Sequence, residues 1–293
     1  MHRPTTFLEV DHPQLRLTLA CETFQITGSF KFRAASEVAR SVPNELLLTA
    51  SSGNFGQALA CAARRTGKKA IVVMPQTSAQ VKIEAVRAQG GQVELVDVTR
   101  VSRAERVRQL AEQYPEAYQA SAYDDPLVIR GNASLGRELA GRGFDCIVSP
   151  VGGGGLISGI VTGLGVGRPR VLGAEPLLAN DAARSLREGR LLANEGEPQT
   201  LADGARTVSL GRHNWEIVRQ GVEDILEVSE EAIGHAVRWL FLKANLKVEP
   251  TGALAVAAVL AAPERFADQN VCCVISGGNV DPALYASLLS AGI

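Results

Sequence analysis

From residue 46 onward, short apolar runs alternate with stretches in which apolar residues recur at helical spacing. Leu46–Ala50 predicts a strand, followed by small polar residues and a helix over Gly56–Arg65. Ala70–Met74 predicts a second strand, stopped by Pro75, with a helix over Ser78–Gln89 behind it. Gln92–Val98 reads as a third strand. The next helix places Val107, Leu110, Ala111 and Tyr114 on one face at i, i+3, i+4 and i+7. A helix over Ala133–Ala140 leads into the strand Asp145–Ser149. Ile233, Val237, Leu240, Phe241 and Ala244 form a later apolar stripe, and Val271–Ile275 reads as a strand containing Cys272 and Cys273. Such alternation predicts an α/β fold with a mainly parallel sheet. Glu188–Arg212, with several Gly, Asn and Pro, predicts a long irregular connection. No repeat or linker marks a domain boundary.

Composition then narrows the partner. With 293 residues, 46% hydrophobic and 21% charged, the chain can bury one large core or two smaller ones. Its 30 basic and 31 acidic side chains leave a formal charge of −1, which gives no electrostatic footprint for nucleic acid. No basic run addresses an anionic membrane surface. The longest apolar run, Ala253–Ala262, is well short of the roughly 20 residues that span a bilayer. Met1–Thr6 lacks the apolar core of a secretory signal. Cys21, Cys61, Cys146, Cys272 and Cys273 are odd in number and lack CxxC spacing, so they read as buried reduced thiols in a cytoplasmic protein. A small-molecule partner is expected.

Glycine is the informative excess: 29 residues, about a tenth of the chain against a usual value of roughly 7%. Three of its clusters follow strands. Gly152-Gly153-Gly154-Gly155 comes directly after the strand ending at Ser149 and Pro150, and a helical pattern follows. Glycines at a strand-to-helix turn let backbone N–H groups approach an anion, and the helix dipole favours negative charge there. The alternative is a tight turn without a ligand. The segment fits neither GxGxxG nor GxxxxGK[ST]. Ser51-Ser52-Gly53-Asn54-Phe55-Gly56 forms a second turn, suited to a carboxylate, and Ser276-Gly277-Gly278-Asn279 a third. All three fall beyond the carboxyl ends of strands, where open α/β sheets bind ligands. Lys31 lies in Gly28-Ser29-Phe30-Lys31-Phe32, flanked by two aromatics. An apolar surround would lower its pKa and favour the neutral amine that attacks a carbonyl, although a lone lysine is ordinarily a solvated charge.

The lysine segment, Ser-Ser-Gly-Asn-Phe-Gly, the tetraglycine loop and the late Ser-Gly-Gly-Asn occur in that order over almost the whole chain. This arrangement resembles the fold-type-II pyridoxal-phosphate enzymes, and within them the serine/threonine dehydratase and serine racemase group. The resemblance implies two open twisted, mainly parallel sheets flanked by helices, as in the tryptophan synthase β-like fold. It implies a large cofactor-binding domain of residues 1–45 plus 124–293 and a small substrate-binding domain of residues 46–123. Lys31 would hold pyridoxal 5'-phosphate covalently. Gly152, Gly153, Gly154 and Gly155 would bind its phosphate, Asn54 its ring hydroxyl and Ser276 its ring nitrogen, with Gly204 and Glu249 lining the ring. Ser51, Ser52, Gly53, Asn54 and Phe55 would receive the substrate. A neutral hydroxyl at the ring nitrogen favours β-elimination over transamination.

The implied reaction is deamination of L-serine, L-threonine or a related β-hydroxy amino acid, with Lys31 removing the Cα proton. Ser52 matches the serine that works on the opposite face in the racemases of the group. Racemisation is thus the main alternative, and β-replacement, as in cysteine synthesis, a further one. A non-catalytic binding protein would not need the lysine. Glu175, the Ala179 carbonyl and Asp181 match the stretch where relatives bind Mg²⁺, with Ca²⁺ as the other hard cation. A homodimer is implied by the family alone.

Three departures stand out. Phe55 replaces a more usual histidine, Asn132 replaces a more usual glutamine, and the segment before Lys31 is short, so an opening helix is not expected. The 17 residues after Ser276 leave no expected regulatory domain (293 − 276). His2, His12, His213 and His235 fall in none of the turns, which disfavours a catalytic triad or a histidine metal site.

Overall fold

The computed structural model describes residues 2–51 and 53–291. Its strands are β1 (Thr6–Asp11), β2 (Arg16–Cys21), β3 (Leu46–Ala50), β4 (Lys69–Pro75), β5 (Gln92–Val96), β6 (Tyr118–Gln119), β7 (Cys146–Pro150), β8 (Arg170–Pro176), β9 (Asp224–Val228) and β10 (Asn270–Ile275). The first helices are α1 (Lys31–Ser41), α2 (Asn54–Arg65), α3 (Gln80–Ala88), α4 (Arg103–Gln113), α5 (Pro126–Leu139) and α6 (Gly155–Leu164). They are followed by α7 (Asp181–Glu188), α8 (Arg212–Gly221), α9 (Glu230–Ala244), α10 (Pro250–Ala261) and α11 (Pro282–Ser290).

Two sheets result. One has six strands in the order β1-β2-β10-β7-β8-β9, and the other four in the order β5-β4-β3-β6. Among the described strand pairs, β1–β2 alone is antiparallel. The central strands β7 and β10 are almost wholly buried, which explains why they read as unbroken apolar runs instead of alternating ones. Helices cover both faces of the larger sheet. Cys273 packs with α9 and α10 on one side, whereas Cys272 packs with α6 and α8 on the other. All five cysteines are free and buried.

The expected α/β architecture and two-sheet arrangement hold. Several boundaries differ for local reasons. α2 begins at Asn54, before the predicted Gly56, because the Ser51 hydroxyl accepts from the backbone N–H groups of Gly53 and Gly56 and closes the first turn early. α5 begins at Pro126 instead of Ala133, with Asp125 as its N-cap accepting from Leu127 N at 2.7 Å. Two expected core residues face solvent: Tyr114, which lies past the end of α4, and Phe241 on α9. The 188–212 connection is as irregular as expected, with one 3-10 turn at Asp203–Ala205. Among the described residues, no helix is long and apolar enough to cross a membrane.

Candidate active site

The turns after β3, β7 and β10 converge on Lys31. Residues 28–30 run beside the turn after β10. Gly278 N donates to Gly28 O at 3.0 Å, Phe30 N donates to Ser276 O at 2.9 Å, and Ser29 bridges Gly277. Lys31 is therefore fixed as the first residue of α1 against the carboxyl end of the large sheet. Its Nζ donates to Ala122 O at 2.8 Å and lies 5.0 Å from the centre of the Phe30 ring. The second aromatic beside it is Phe55, at 5.8 Å, and not the flanking Phe32, whose buried ring packs under Arg65. Helix geometry explains the exchange, because neighbouring residues on α1 point to different faces. Burial pushes the Lys31 amine down to about 8, partly offset by the negative charge of Glu249.

The tetraglycine loop links β7 to α6 and leaves no room for side chains. A Cβ on Gly152 would sit 3.0 Å from Ala205 Cα and Gly204 O, and one on Gly155 would sit 3.0 Å from Tyr123 O. A Cβ on Gly153 would enter the Tyr123 ring. Gly154 adopts φ 87°, in the left-handed region, and serves as the N-cap of α6 without a side-chain bond. The opening turn of α6 thus presents its backbone donors uncapped, as an anion requires.

Gly153→Ala should weaken binding of a phosphate-bearing ligand at least tenfold, if the loop is an anion cradle, and lower stability by about 1–3 kcal/mol through overpacking. Gly196→Ala, where a Cβ meets nothing within 4 Å, serves as the neutral control. Equilibrium dialysis and urea melts read both effects, and equal behaviour of the two variants would refute a glycine-specific cradle.

Opposite the lysine, Asn54 Nδ2 donates to both Glu249 oxygens, at 2.8 and 3.1 Å, while its Oδ1 accepts from Asn279 Nδ2 at 2.8 Å. The Glu249 carboxyl is pushed up to about 8, first by burial and then by Asp203, against the lowering influence of Asn54, Lys82 and Lys31. Lys82 on α3 pairs with Asp203 at 2.6 Å, and Gly204 N donates to Thr251 Oγ1 at 2.9 Å. Ser276 is buried at the end of β10. Ser51 is also buried, and its hydroxyl serves the turn itself. Gly53 is the N-cap of α2 and Phe55 is fully enclosed. Ser52 lies outside the described residues.

A second cluster sits away from the lysine. Glu175 is the penultimate residue of β8 and Asp181 begins α7; both are buried. Burial, with mutual repulsion at Glu175, pushes Glu175 up to about 9, and burial pushes Asp181 up to about 7. Glu175 accepts from Ala183 N at 2.7 Å and Asp181 Oδ1 from Asn194 Nδ2 at 2.9 Å, but Asp181 Oδ2 is buried without a partner. The described residues contain no group of three or more His, Cys, Asp or Glu able to hold a metal ion.

Sequence reasoning missed Tyr123, whose ring caps the glycine loop, and Ala122, whose carbonyl holds Lys31. Backbone acceptors leave no sequence signal. The only pointer was Asp124-Asp125-Pro126, an N-cap and first-turn proline that announce the start of α5 just beyond them.

A buried lysine of lowered basicity, placed where parallel strands of two sheets end beside an uncapped helix, defines an α/β enzyme built for carbonyl chemistry on an anionic group. The chain belongs to the pyridoxal-phosphate dependent enzymes, whose family pattern matches residues 2–277, and within them to the serine/threonine dehydratase and serine racemase group. It is 37% identical over 279 residues to serine racemase of Bos taurus, covering 90% of this chain and 83% of the relative. It is equally 37% identical over 279 residues to the L-threo-3-hydroxyaspartate ammonia-lyase of Pseudomonas sp, covering 92% and 87%. The crystal structure of a threonine deaminase from T.th. superposes with a TM-score of 0.90 at 43% identity, covering 96% of this chain and 94% of that one. Pyridoxal 5'-phosphate is the cofactor of the family. The site fits it, since the glycine loop is a cradle that side chains would fill and Lys31 is an amine of lowered basicity.

Proposed function

We propose that this protein is an ammonia-lyase that removes water from a β-hydroxy amino acid, L-serine, L-threonine or a relative such as 3-hydroxyaspartate, and yields a 2-oxo acid and ammonia. The observation that carries this reading is Lys31: an amine buried between two aromatic rings and brought to about 8 serves near neutral pH as both nucleophile and base. The names of the relatives add that serine, threonine and hydroxyaspartate share a β-hydroxyl as leaving group.

When bound, the cofactor supplies a carbonyl for amines and an electron sink for the Cα carbanion. Lys31 would hold it, and the same Nζ, when free, would take the substrate's Cα proton. The uncapped N–H groups of Gly152–Gly155 would bind its phosphate. Asn54 would redirect one of the Nδ2 hydrogens it gives to Glu249 toward the ring hydroxyl, with Gly204 and Glu249 lining the ring. Ser276 would meet the ring nitrogen, where its neutral hydroxyl would favour loss of a β-leaving group. The Ser51–Phe55 turn takes the substrate carboxylate on the backbone donors at the start of α2. Ser52 would act as a second catalytic residue. Residues 1–45 and 124–293 form the cofactor domain and residues 46–123 the substrate domain, in a homodimeric cytoplasmic enzyme.

The test is incubation of the holoenzyme with L-serine, L-threonine and L-threo-3-hydroxyaspartate, with assays of 2-oxo acid, ammonia and the chirality of recovered substrate. Stoichiometric oxo acid and ammonia are expected. D-isomer without oxo acid would make the protein a racemase, and turnover that requires an added thiol would make it a β-replacement enzyme.

Glu175, Asp181 and the Ala179 carbonyl form the proposed cation site, with Mg²⁺ or Ca²⁺ as occupant. Its hard oxygen donors and the unpartnered Asp181 Oδ2 suit such an ion, with water completing the shell. At a hundredfold excess over Kd, Mg²⁺ should stabilise the protein by about 2.7 kcal/mol. EDTA should reverse the resulting rise in Tm, and Asp181→Asn should abolish it. An unchanged melt at millimolar Mg²⁺ and Ca²⁺ would remove the site.

A further inference from the structure

We propose that Asn214 is a positioning residue for the anion cradle, holding the glycine loop in register, and that Asn132 braces the far end of the same loop. This inference rests on the reading of Gly152–Gly155 as a phosphate site and adds the side chains that set its shape.

Asn214 lies in the first turn of α8 with its side chain fully buried. Its Nδ2 donates to Gly153 O at 2.6 Å and to Tyr123 O at 3.1 Å. One amide therefore joins the loop after β7 to the segment whose previous residue, Ala122, accepts from Lys31 Nζ. The orientation of the amide is dictated by its neighbours. Both partners are carbonyls, so the reversed amide would set Oδ1 against two acceptors. Gly154 fits over this residue, because a Cβ there would lie 3.0 Å from Asn214 Cβ.

Asn132 on α5 does the same work at the other end: its buried Nδ2 donates to Gly155 O at 2.9 Å. Thus the carbonyls at both ends of Gly153–Gly155 are held by side-chain amides. Gly153 O also accepts from Gly211 N at 3.0 Å, so it is tied to two points of the turn that opens α8. A peptide unit is rigid, so pinning its carbonyl fixes the direction of the following N–H. Pinning Gly153 O aims Gly154 N, and the tie at Gly155 fixes the first peptide of α6.

Both amides leave Oδ1 buried without a partner among the described residues. Buried polar atoms are usually satisfied, and an unmatched one calls for an explanation. An apolar side chain would fill either position without that cost. What the amides add is the pair of donors on the loop. The residue type is thus explained by the shape of the cradle better than by packing.

The experiment compares binding of pyridoxal phosphate and of pyridoxal, which lacks the phosphate, to the full chain freed of cofactor, by equilibrium dialysis. Wild type should prefer the phosphorylated form, and millimolar inorganic phosphate should compete with it. Asn214→Ala should weaken pyridoxal-phosphate binding at least tenfold while changing pyridoxal binding less than twofold. Alanine adds no charge, so repulsion of the phosphate is not at issue. Equal weakening for both ligands would show a merely structural asparagine and overturn the proposal, as would unchanged binding of both. If Asn214→Ala does not fold, Asn132→Ala carries the same comparison through Gly155. Failure of the parent reading looks different: wild type itself would then bind the two ligands alike.

Discussion

Lys31→Ala should reduce turnover by about 10⁴-fold or more, the scale on which removal of a catalytic nucleophile is felt. The folded protein should survive this change, because among the described residues the Lys31 side chain makes one hydrogen bond, to Ala122 O, and it lies at the start of α1, where alanine is well tolerated. Two substitutions separate charge from chemistry. Lys31→Arg keeps a cation beside Glu249 but has no nucleophilic amine at any accessible pH, so it should be as inactive as alanine. Neither variant should develop the visible absorption band that wild type acquires on incubation with pyridoxal phosphate. The pH dependence follows from the lowered basicity of the amine. Only neutral lysine attacks, and protonation holds it back below about 8, so the rate of cofactor capture should rise with pH and level off above about 8. An exposed lysine would still be rising near 10. A band that forms at the same rate in Lys31→Ala would place the reactive amine elsewhere and end the lyase reading.

Much of this site was visible in the sequence because its chemistry is local. Glycine runs after apolar strands announce strand-to-helix turns whatever the rest of the chain does, and the three turns fall at the ends of β3, β7 and β10. Other parts were hidden for physical reasons. β1 is an edge strand with Glu9 and Asp11 exposed and only Val10 buried, so its pattern carries little apolar signal. α10 is enclosed on every side, with each residue from Pro250 to Val259 buried, and an all-round apolar helix has no face for periodicity to reveal. At the site, the unread features are those in which distant segments meet. Asn54 was legible as part of a turn. Its clamping between Glu249 and Asn279 joins residues some two hundred positions apart, and no spacing rule encodes that.

Arg33→Met should lower stability by about 3–5 kcal/mol, a large part of the 5–15 kcal/mol that holds a typical protein folded. Charged side chains are rarely buried, so no sequence pattern hinted that Arg33 is fully enclosed. Its guanidinium meets Glu22 as a two-pronged fork, Nε to Oε2 at 2.7 Å and one terminal nitrogen to Oε1 at 2.8 Å. The same terminal nitrogen donates to Thr5 Oγ1 at 2.8 Å, and the other donates to Glu138 Oε1 at 2.8 Å and Ser134 Oγ at 2.9 Å. One side chain therefore ties the N-terminal segment, the end of β2 and α5 to the first turn of α1, which has no side-chain N-cap of its own. Removing it strands the fully buried Glu22 carboxylate without its counterion. Such loss costs more than the pair contributes, because the remaining charge stays desolvated. Arg33→Lys should fall between the two, keeping a charge but losing the fork. Urea midpoints of Arg33→Met, Glu22→Gln and the double variant separate charge from packing. If the stranded carboxylate dominates, Glu22→Gln should restore part of the stability lost in Arg33→Met. If the two losses simply add, the destabilisation comes from packing around the arginine stem, and the buried-charge account fails.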